Sequence, residues 1–183
     1  MAASEKIINI PQLVDYLNSS DVEGFKKVAG KLEIPVEDWG KYAFFSETKY
    51  TRNCVARNDA YELILLCWEP GQITPVHCHN DQECWVHCIQ GSFEEQRYVA
   101  GDEGGKLKKD HQLHLMSERT SYMNDGMGYH SLANSSNGRA MTLHLYAGPI
   151  NRARIYNQEL TKFEWVEMEY YSMQGKLLAP TNA

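Results

Sequence analysis

The sequence predicts a mainly β fold, a small antiparallel β-barrel preceded by a helical N-terminal segment. In the first fifty residues, apolar side chains recur at helical spacing. From Tyr50 onward, short apolar stretches alternate with turn residues such as Pro70-Gly71 and Gln90-Gly91. Many short strands separated by turns at this spacing are typical of a sandwich or a barrel.

Three helices are expected in the N-terminal segment. The first lies around Leu13 to Leu17, where apolar residues follow a proline at helical spacing. A polar break then supplies the cap of a second helix, predicted over residues 22–29. The third helix is predicted over residues 36–44, with Pro35 at its first turn.

Eight strands are expected after the helices, each an apolar or alternating stretch that ends at turn residues. The predicted strands are Tyr61–Trp68, Cys84–Ile89, Ser92–Val99, Gln112–Met116, Ser121–Met123, Ser131–Asn134, Ala140–Tyr146 and Glu164–Tyr171. We therefore expect a single domain over residues 1–183, which is an ordinary domain size. It would consist of a mainly helical segment (1–48), a β-barrel (49–172) and a tail (173–183).

Composition and charge argue against several classes of partner. The net charge is −6 and the largest basic cluster is Lys106–Lys109, so nucleic acid is not expected. The apolar run Leu63–Trp68 is far shorter than the roughly 20 residues of a membrane span. The N-terminus lacks the pattern of a signal peptide. Five cysteines without disulfide-scaffold density indicate free thiols in a reducing cytosol, and we expect a cytoplasmic monomer.

The stretch HCHNDQEC, residues 77–84, is rich in groups that can bind a metal. Side chains alternate along an extended chain, so His77 and His79 can converge on one ion while Cys78 points away and packs as a buried thiol. A third histidine, His130, follows in a Gly-Tyr-His stretch. Three neutral imidazoles that leave coordination positions open suit a divalent first-row metal that also binds substrate and oxygen.

The spacing around these histidines resembles the two motifs of cupins, which are small antiparallel barrels of the jelly-roll type. Gly-x5-His-x-His precedes the candidate ligands, and the region of His130 partly matches the second motif. In the first motif a glutamate is often a further ligand. Counting forward from His79 gives Glu83 that position, whereas counting back from Gly91 gives it to Cys84. The spacing alone leaves both open.

Five segments, in the same order and at similar spacing, resemble cysteine dioxygenase, a thiol dioxygenase of the cupin superfamily (type I). They are KYTRN (49–53), LCW (66–68), HCHNDQEC (77–84), GYH (128–130) and TLHLY (142–146). The resemblance covers roughly residues 40 to 172. It implies that His77, His79 and His130 bind Fe(II) and that the nearby carboxylates stay off the metal.

The resemblance also implies a substrate-binding group. Arg52 would pair with the carboxylate of the substrate, a role for which the planar guanidinium is suited because it can hold both oxygens. Tyr50 would assist at the same carboxylate. Met168 matches a pocket residue by its spacing. Without the resemblance, Arg52 would be read as a solvated surface charge.

Three polar residues of the last motif share one face of a strand, namely Thr142, His144 and Tyr146. If the intervening leucines face outward, these groups face the barrel interior, where buried polar side chains need partners. A Thr–His–Tyr relay would supply them; an edge strand with one wet face is the alternative. The resemblance assigns Tyr146 to the orientation of oxygen or of the substrate amine, and Cys84 to a thioether cross-link with Tyr146.

The function that these residues favour is oxidation of L-cysteine by O2 to cysteine sulfinic acid. One alternative is a dioxygenase for 3-mercaptopropionate or another small thiol, whose members carry glutamine in place of Arg52. A second is a non-catalytic metal-binding cupin, and a third is a sugar isomerase with Glu83 in the metal shell. Ala147-Gly148-Pro149 departs from the Ser-Pro-Pro of many relatives, so the pocket beside Tyr146 is expected to differ in shape.

Overall fold

The computed structural model describes residues 5–101 and 106–179. Two α-helices come first, α1 (Ile10–Asn18) and α2 (Val22–Val28). Short 3-10 helices follow at Ala29–Lys31 and Val36–Lys41, and a further one at Asp125–Met127. The strands are β1 (Thr51–Arg57), β2 (Glu62–Trp68), β3 (Cys84–Gln90), β4 (Ser92–Ala100), β5 (Leu107–Met116), β6 (Thr120–Met123), β7 (Tyr129–Asn134), β8 (Ala140–Tyr146), β9 (Arg152–Asn157), β10 (Lys162–Glu167), β11 (Ser172–Met173) and β12 (Lys176–Leu177).

The first two helices begin where their polar caps predict. The Asn9 side chain accepts a hydrogen bond from the backbone N–H of Gln12, and Asp21 does the same for Gly24. The third predicted helix, over 36–44, begins at Val36 as expected but is a 3-10 helix and ends earlier, at Lys41. Its sequence contains a glycine, which is unfavourable in the interior of a helix. The helix is therefore short, and its one fully buried side chain is that of Trp39.

The strands form three sheets, and nearly all pairs are antiparallel. The largest sheet has the order β12-β11-β1-β2-β8-β3-β6. A three-stranded sheet has the order β5-β4-β7, and β9 pairs with β10 in a separate hairpin. Among the strand pairings of the described residues, β1 and β11 alone run parallel, and an isolated parallel bridge joins Ile7 to Leu32 outside the strands. The predicted mainly β, antiparallel fold is confirmed.

The two faces of the large sheet carry different cores. Leu63 and Leu65 of β2 pack with the helical segment, whereas Ile64, Leu66 and Trp68 pack toward the three-stranded sheet. This is the period-two alternation of a strand that is buried on both sides. The same rule places the polar residues of β8 on the inner face, which is where the candidate site lies.

Several predicted boundaries in the C-terminal third are wrong. The last predicted strand, Glu164–Tyr171, is β10 at Lys162–Glu167, because the chain leaves the hairpin after Glu167 and binds β1 through the Tyr171 N–H and the Arg52 carbonyl (2.8 Å). Strand β9 was not predicted, although the first four residues of its sequence RARIYN alternate between polar and apolar. Strands β11 and β12 lie partly in the segment predicted as a tail, of which residues 180–183 are outside the described residues.

Strand β1 was also absent from the predicted strands. Two of its buried residues, Thr51 and Asn53, are polar, and the Asn53 side chain donates hydrogen bonds to the Thr51 hydroxyl and to the Leu65 carbonyl. Such a strand is stabilised by buried hydrogen bonds that only the folded arrangement supplies. No helix in the described part of the chain is long and apolar enough to cross a membrane.

Candidate functional site

His77 is fixed by two backbone hydrogen bonds to His130. The His77 N–H donates to the His130 carbonyl (3.0 Å), and the His130 N–H donates to the His77 carbonyl (3.2 Å). The two residues therefore face each other in an antiparallel bridge. The His77 ring places Nδ1 2.9 Å from the Pro75 carbonyl. Because a carbonyl can only accept, Nδ1 carries the proton and Nε2 keeps its lone pair.

His79 lies at the end of this extended stretch. Asn80 and Asp81, which follow it, have positive φ angles (53° and 63°), so the chain turns immediately after the histidine. The carboxylate of Asp125 holds the turn, accepting the N–H groups of His79 (2.6 Å) and Asp81 (2.9 Å). Asn and Asp tolerate this left-handed conformation better than most residues. The extended conformation of His77 and His79 was predicted from the sequence. The turn after His79 and its hydrogen bonds to Asp125 were not.

His130 comes from β7 and is held by a buried carboxylate. Its Nδ1 lies 2.8 Å from Glu95 Oε1, and its Nε2 lies 3.1 Å from His79 Nε2. Glu95 also accepts hydrogen bonds from Arg97 Nε (3.1 Å) and Ser121 Oγ (2.5 Å). Glu95 and Arg97 were missed by the sequence analysis. The period-two pattern of β4, in which Phe93, Glu95 and Arg97 share the buried face, is the signal that could have found them.

The three histidines bring one ligand atom each to within 4.8 Å of the other two. Among the described residues, this is the only such group of histidine, cysteine or carboxylate side chains that could hold a metal. Burial lowers the pKa of His77 to about 3 and the pKa of His79 well below its ordinary value, with His130 adding a smaller effect in both cases. Neutral imidazoles with free lone pairs are the form that binds a metal.

The polar residues of β8 form a continuous buried chain of hydrogen bonds. Trp68 Nε1 donates to Thr142 Oγ1 (3.0 Å), which lies 2.9 Å from His144 Nε2. The other nitrogen of His144, Nδ1, lies 3.2 Å from the Tyr146 hydroxyl. The ring centroid of Tyr146 is 6.0 Å from that of His79, so the chain ends beside the histidine cluster. Trp68, the first member of the chain, was quoted in the sequence analysis but given no role.

Cys84 and Tyr146 are direct partners in the pairing of β3 with β8. Both are almost fully buried. Burial raises the pKa of the Cys84 thiol, opposed by a hydrogen bond with Tyr146. Burial likewise raises the pKa of the Tyr146 phenol far above its ordinary value, with Cys84 adding to the effect. Neutral thiol and neutral phenol are thus side by side in a buried part of the barrel.

Arg52 faces the same cavity as the histidines, together with Tyr50 and Met168. Its Nε and Nη2 atoms are buried and have no hydrogen-bond partner in the described structure. Unpaired buried donors are costly, so a guanidinium in this state is a candidate binding site for an acceptor. Tyr50 stacks on Trp68 with ring centroids 4.7 Å apart. Tyr50, Arg52 and Met168 therefore line one cavity with the three histidines, His144 and Tyr146. Thr142 and Cys84 do not line it but lie next to His144 and Tyr146 respectively.

Two further expectations have a structural outcome. Cys78 is buried as expected, but it also borders the cavity, and its backbone N–H donates to the Arg154 carbonyl (3.2 Å). Beyond Tyr146, Gly148 has a φ of 106°, and an added Cβ would lie 2.7 Å from Gln82 Oε1. This left-handed backbone conformation favours glycine at position 148. The described residues contain no cis peptide bond.

Comparison with known proteins agrees with this arrangement. The family model described as "Cysteine dioxygenase type I" matches residues 2–159. A "Cysteine dioxygenase type 1" of Danio rerio is 29% identical over 176 residues, covering 94% of this chain and 88% of the relative. The protein of the same name from Rattus norvegicus is 31% identical over 163 residues, covering 85% and 79%.

A solved structure supports the fold. The crystal structure of an uncharacterized conserved protein with a double-stranded β-helix domain from Klebsiella pneumoniae aligns with a TM-score of 0.50. It is 18% identical and covers 60% of this chain and 80% of its own. A double-stranded β-helix is the jelly-roll barrel of cupins, in agreement with the predicted fold class. Because the family model matches most of the chain, the chain belongs to the cysteine dioxygenase type I family.

Proposed function

We propose that the protein is a non-haem iron dioxygenase that oxidises the thiol of L-cysteine to cysteine sulfinic acid with both atoms of O2. One observation carries the proposal. Three histidines converge beside a buried arginine whose Nε and Nη2 have no hydrogen-bond partner in the described structure, so one cavity offers a metal site and a carboxylate site. A small thiol with a carboxylate fits both.

Fe(II) fits the donors of this site. His77 and His130 each commit Nδ1 to a fixed acceptor, Pro75 and Glu95 respectively, which leaves Nε2 as the ligand atom. The group contains no carboxylate ligand, and we assign Glu83 no metal contact. When bound, Fe(II) would lower the pKa of the substrate thiol and supply the redox chemistry for reaction with oxygen.

Arg52 would bind the substrate carboxylate through Nε and Nη2, the parallel pair of donors that matches two carboxylate oxygens. Its side chain is only 10% exposed, so this contact would be largely shielded from water. Tyr50 and Met168 border the same space and would confine the rest of the substrate. The carboxylate would thus fix the substrate in one orientation relative to the histidines.

The chain of hydrogen bonds from Trp68 would orient Tyr146. An indole N–H can only donate, so the Thr142 hydroxyl accepts it and gives its own hydrogen to His144 Nε2. His144 then carries its proton on Nδ1 and donates to the Tyr146 oxygen. The phenolic hydrogen of Tyr146 is left to point toward the reacting groups. Burial keeps the pKa of His144 well below its ordinary value, so the ring stays neutral.

We further propose a thioether between Cys84 Sγ and the ring of Tyr146. Its formation would break the S–H bond and one ring C–H bond, and O2 would accept the two electrons and two protons. The direct pairing of the two residues on β3 and β8 supports this proposal.

We also propose that the protein is a cytoplasmic monomer. Its five cysteines are free and buried, which is consistent with a reducing compartment.

Oxygen uptake by the iron-loaded protein tests the proposed function. L-cysteine, 3-mercaptopropionate and cysteamine should be compared at equal concentration, and products identified by mass and by incorporation of labelled oxygen. L-cysteine should be consumed fastest and its product should contain both labelled atoms. Preference for 3-mercaptopropionate would transfer the assignment to that thiol. No uptake with any of the three would indicate a non-catalytic metal-binding protein.

A further inference from the structure

Glu62, at the start of β2, is a fully buried carboxylate next to the proposed carboxylate site. It accepts a short hydrogen bond from the Tyr170 hydroxyl and one from the Ile150 N–H (3.3 Å). Its partner on β8 is Tyr146, so Glu62 belongs to the same cross-strand row as the proposed reactive pair. A buried carboxylate is expensive unless it is paired, which suggests a specific role.

Two arginines share this carboxylate. Arg52 Nη2 lies 3.7 Å from Glu62 Oε2, and Arg57 Nη1 lies 4.0 Å from Glu62 Oε1. Arg57 also donates to the Tyr170 hydroxyl (2.7 Å). The Tyr170 ring lies within reach of both guanidinium groups, with its centroid 5.9 Å from Arg52 Cζ and 5.7 Å from Arg57 Cζ.

The distance between Arg52 and Glu62 is decisive. At 3.7 Å the two groups attract each other by charge, but they form no hydrogen bond, so the Nε and Nη2 donors of Arg52 remain unused. Because Glu62 is shared with Arg57, it does not cancel the charge of Arg52 completely. Two guanidinium groups and one carboxylate leave one positive charge, which a single ligand carboxylate would balance.

We infer that Glu62 is a positioning residue that, together with Tyr170, holds the guanidinium of Arg52 with Nε and Nη2 free toward the cavity. The inference rests on the proposed role of Arg52 in binding the substrate carboxylate. Glu62 would then contribute to the recognition of carboxylate-bearing thiols without contacting them. A carboxylate that served only to stabilise the sheet would have no such connection to Arg52.

A double-mutant cycle separates these two roles. Glu62→Gln preserves the volume of the side chain but removes its charge and presents N–H donors toward Tyr170 and the arginines. In the wild-type background it should lower kcat/KM for L-cysteine by roughly tenfold, mainly through a higher KM, the scale of a weakened charged contact. In the Arg52→Ala background the same change should cost less than about twofold, because the group it positions is gone.

Glu69→Gln is the matched control. Glu69 pairs with Arg139 Nη2 at 2.9 Å at the other end of β2, outside the cavity, so its loss should leave kcat/KM for L-cysteine unchanged. Circular dichroism and iron content establish whether each variant is folded. If Glu62→Gln does not fold, Tyr170→Phe replaces it in the cycle, since it removes the hydroxyl partner of Glu62 and keeps the ring beside Arg52.

The outcomes are distinguishable. An inactive wild-type protein would overturn the proposed function and this inference with it. An active wild type that depends on Arg52, but in which the tested variant retains kcat/KM within twofold, would overturn the inference alone. An equal loss in both backgrounds would do the same, because it would show that Glu62 acts through the fold and not through Arg52.

Discussion

Cys84 and Tyr146 lie directly opposite each other on neighbouring antiparallel strands, although many residues separate them in the sequence. Side chains of such a pair project from the same face with Cβ atoms about 5 Å apart. The pairing therefore holds the Cys84 thiol beside the phenol ring of Tyr146, whose oxygen is hydrogen-bonded to His144.

The first prediction is that this pair becomes a thioether during turnover. The intact mass of the iron-loaded protein should fall by the mass of two hydrogen atoms as cysteine is consumed. Cys84→Gly should abolish the shift and keep activity, because the sulfur would orient Tyr146 without taking part in the reaction. Tyr146→Phe should be more damaging. A peptide map in which Cys84 remains free after prolonged turnover would contradict the cross-link and leave the dioxygenase assignment intact.

The second prediction concerns the other thiols. Burial raises the pKa of Cys54 and Cys88 to about 11 and that of Cys67 to about 12. Thiolate is the reactive form, so these three cysteines should react very slowly with an aromatic disulfide reagent at pH 8 in the native protein. After unfolding in denaturant, all five cysteines should react, or four where the thioether has formed. Rapid modification of Cys54, Cys67 or Cys88 in the native protein, identified by peptide mapping, would contradict this prediction.

The third prediction is that Glu95 controls metal affinity through His130. Glu95→Gln should weaken iron binding by roughly 10- to 100-fold, because the carboxylate fixes the ring and strengthens its lone pair. Alanine at His77, His79 or His130 should remove most of the bound iron. Iron titrations of the purified protein measure both effects, and His111→Ala, at an exposed position of β5, is the control. Full iron content in His130→Ala would exclude the three-histidine site.

The inner face of β8 was predictable because its alternation is regular, and the resemblance then gave Thr142, His144 and Tyr146 their roles. The hydrogen-bond partners of Glu62 and Glu95 were not predictable from the local sequence. Their partners are fixed by strand register, and the Tyr170 hydroxyl that binds Glu62 is more than a hundred positions away in the chain. Local patterns indicate which face a residue occupies, but they do not determine which residue of another strand it meets.

The fourth prediction is that Arg52 sets the affinity for substrate. Arg52→Ala should raise KM for L-cysteine and lower kcat/KM by roughly one to three powers of ten, since a charged hydrogen-bonded contact is lost. Steady-state oxygen uptake measures this, with Arg139→Ala as a control for loss of an arginine outside the cavity. An unchanged KM, or equal use of cysteamine by the wild type, would remove Arg52 from the substrate site.

The last prediction is a pH dependence of stability in the metal-free protein. Burial keeps the folded-state pKa of His144 well below 6.5, so below that pH the unfolded chain binds a proton that the folded chain does not. The contribution of the buried, neutral His144 to the free energy of unfolding is therefore fully present above about pH 6.5 and is lost as the pH falls. The slope of this loss approaches about 1.4 kcal/mol per pH unit for one histidine.

Urea unfolding between pH 7.5 and pH 5 measures this dependence. The free energy of unfolding should fall less steeply with decreasing pH for His144→Gln than for wild type, while His114→Gln on the exposed face of β5 should match wild type. Equal slopes for wild type and His144→Gln would mean that His144 is protonated in the folded protein, which would contradict the relay from Trp68 to Tyr146.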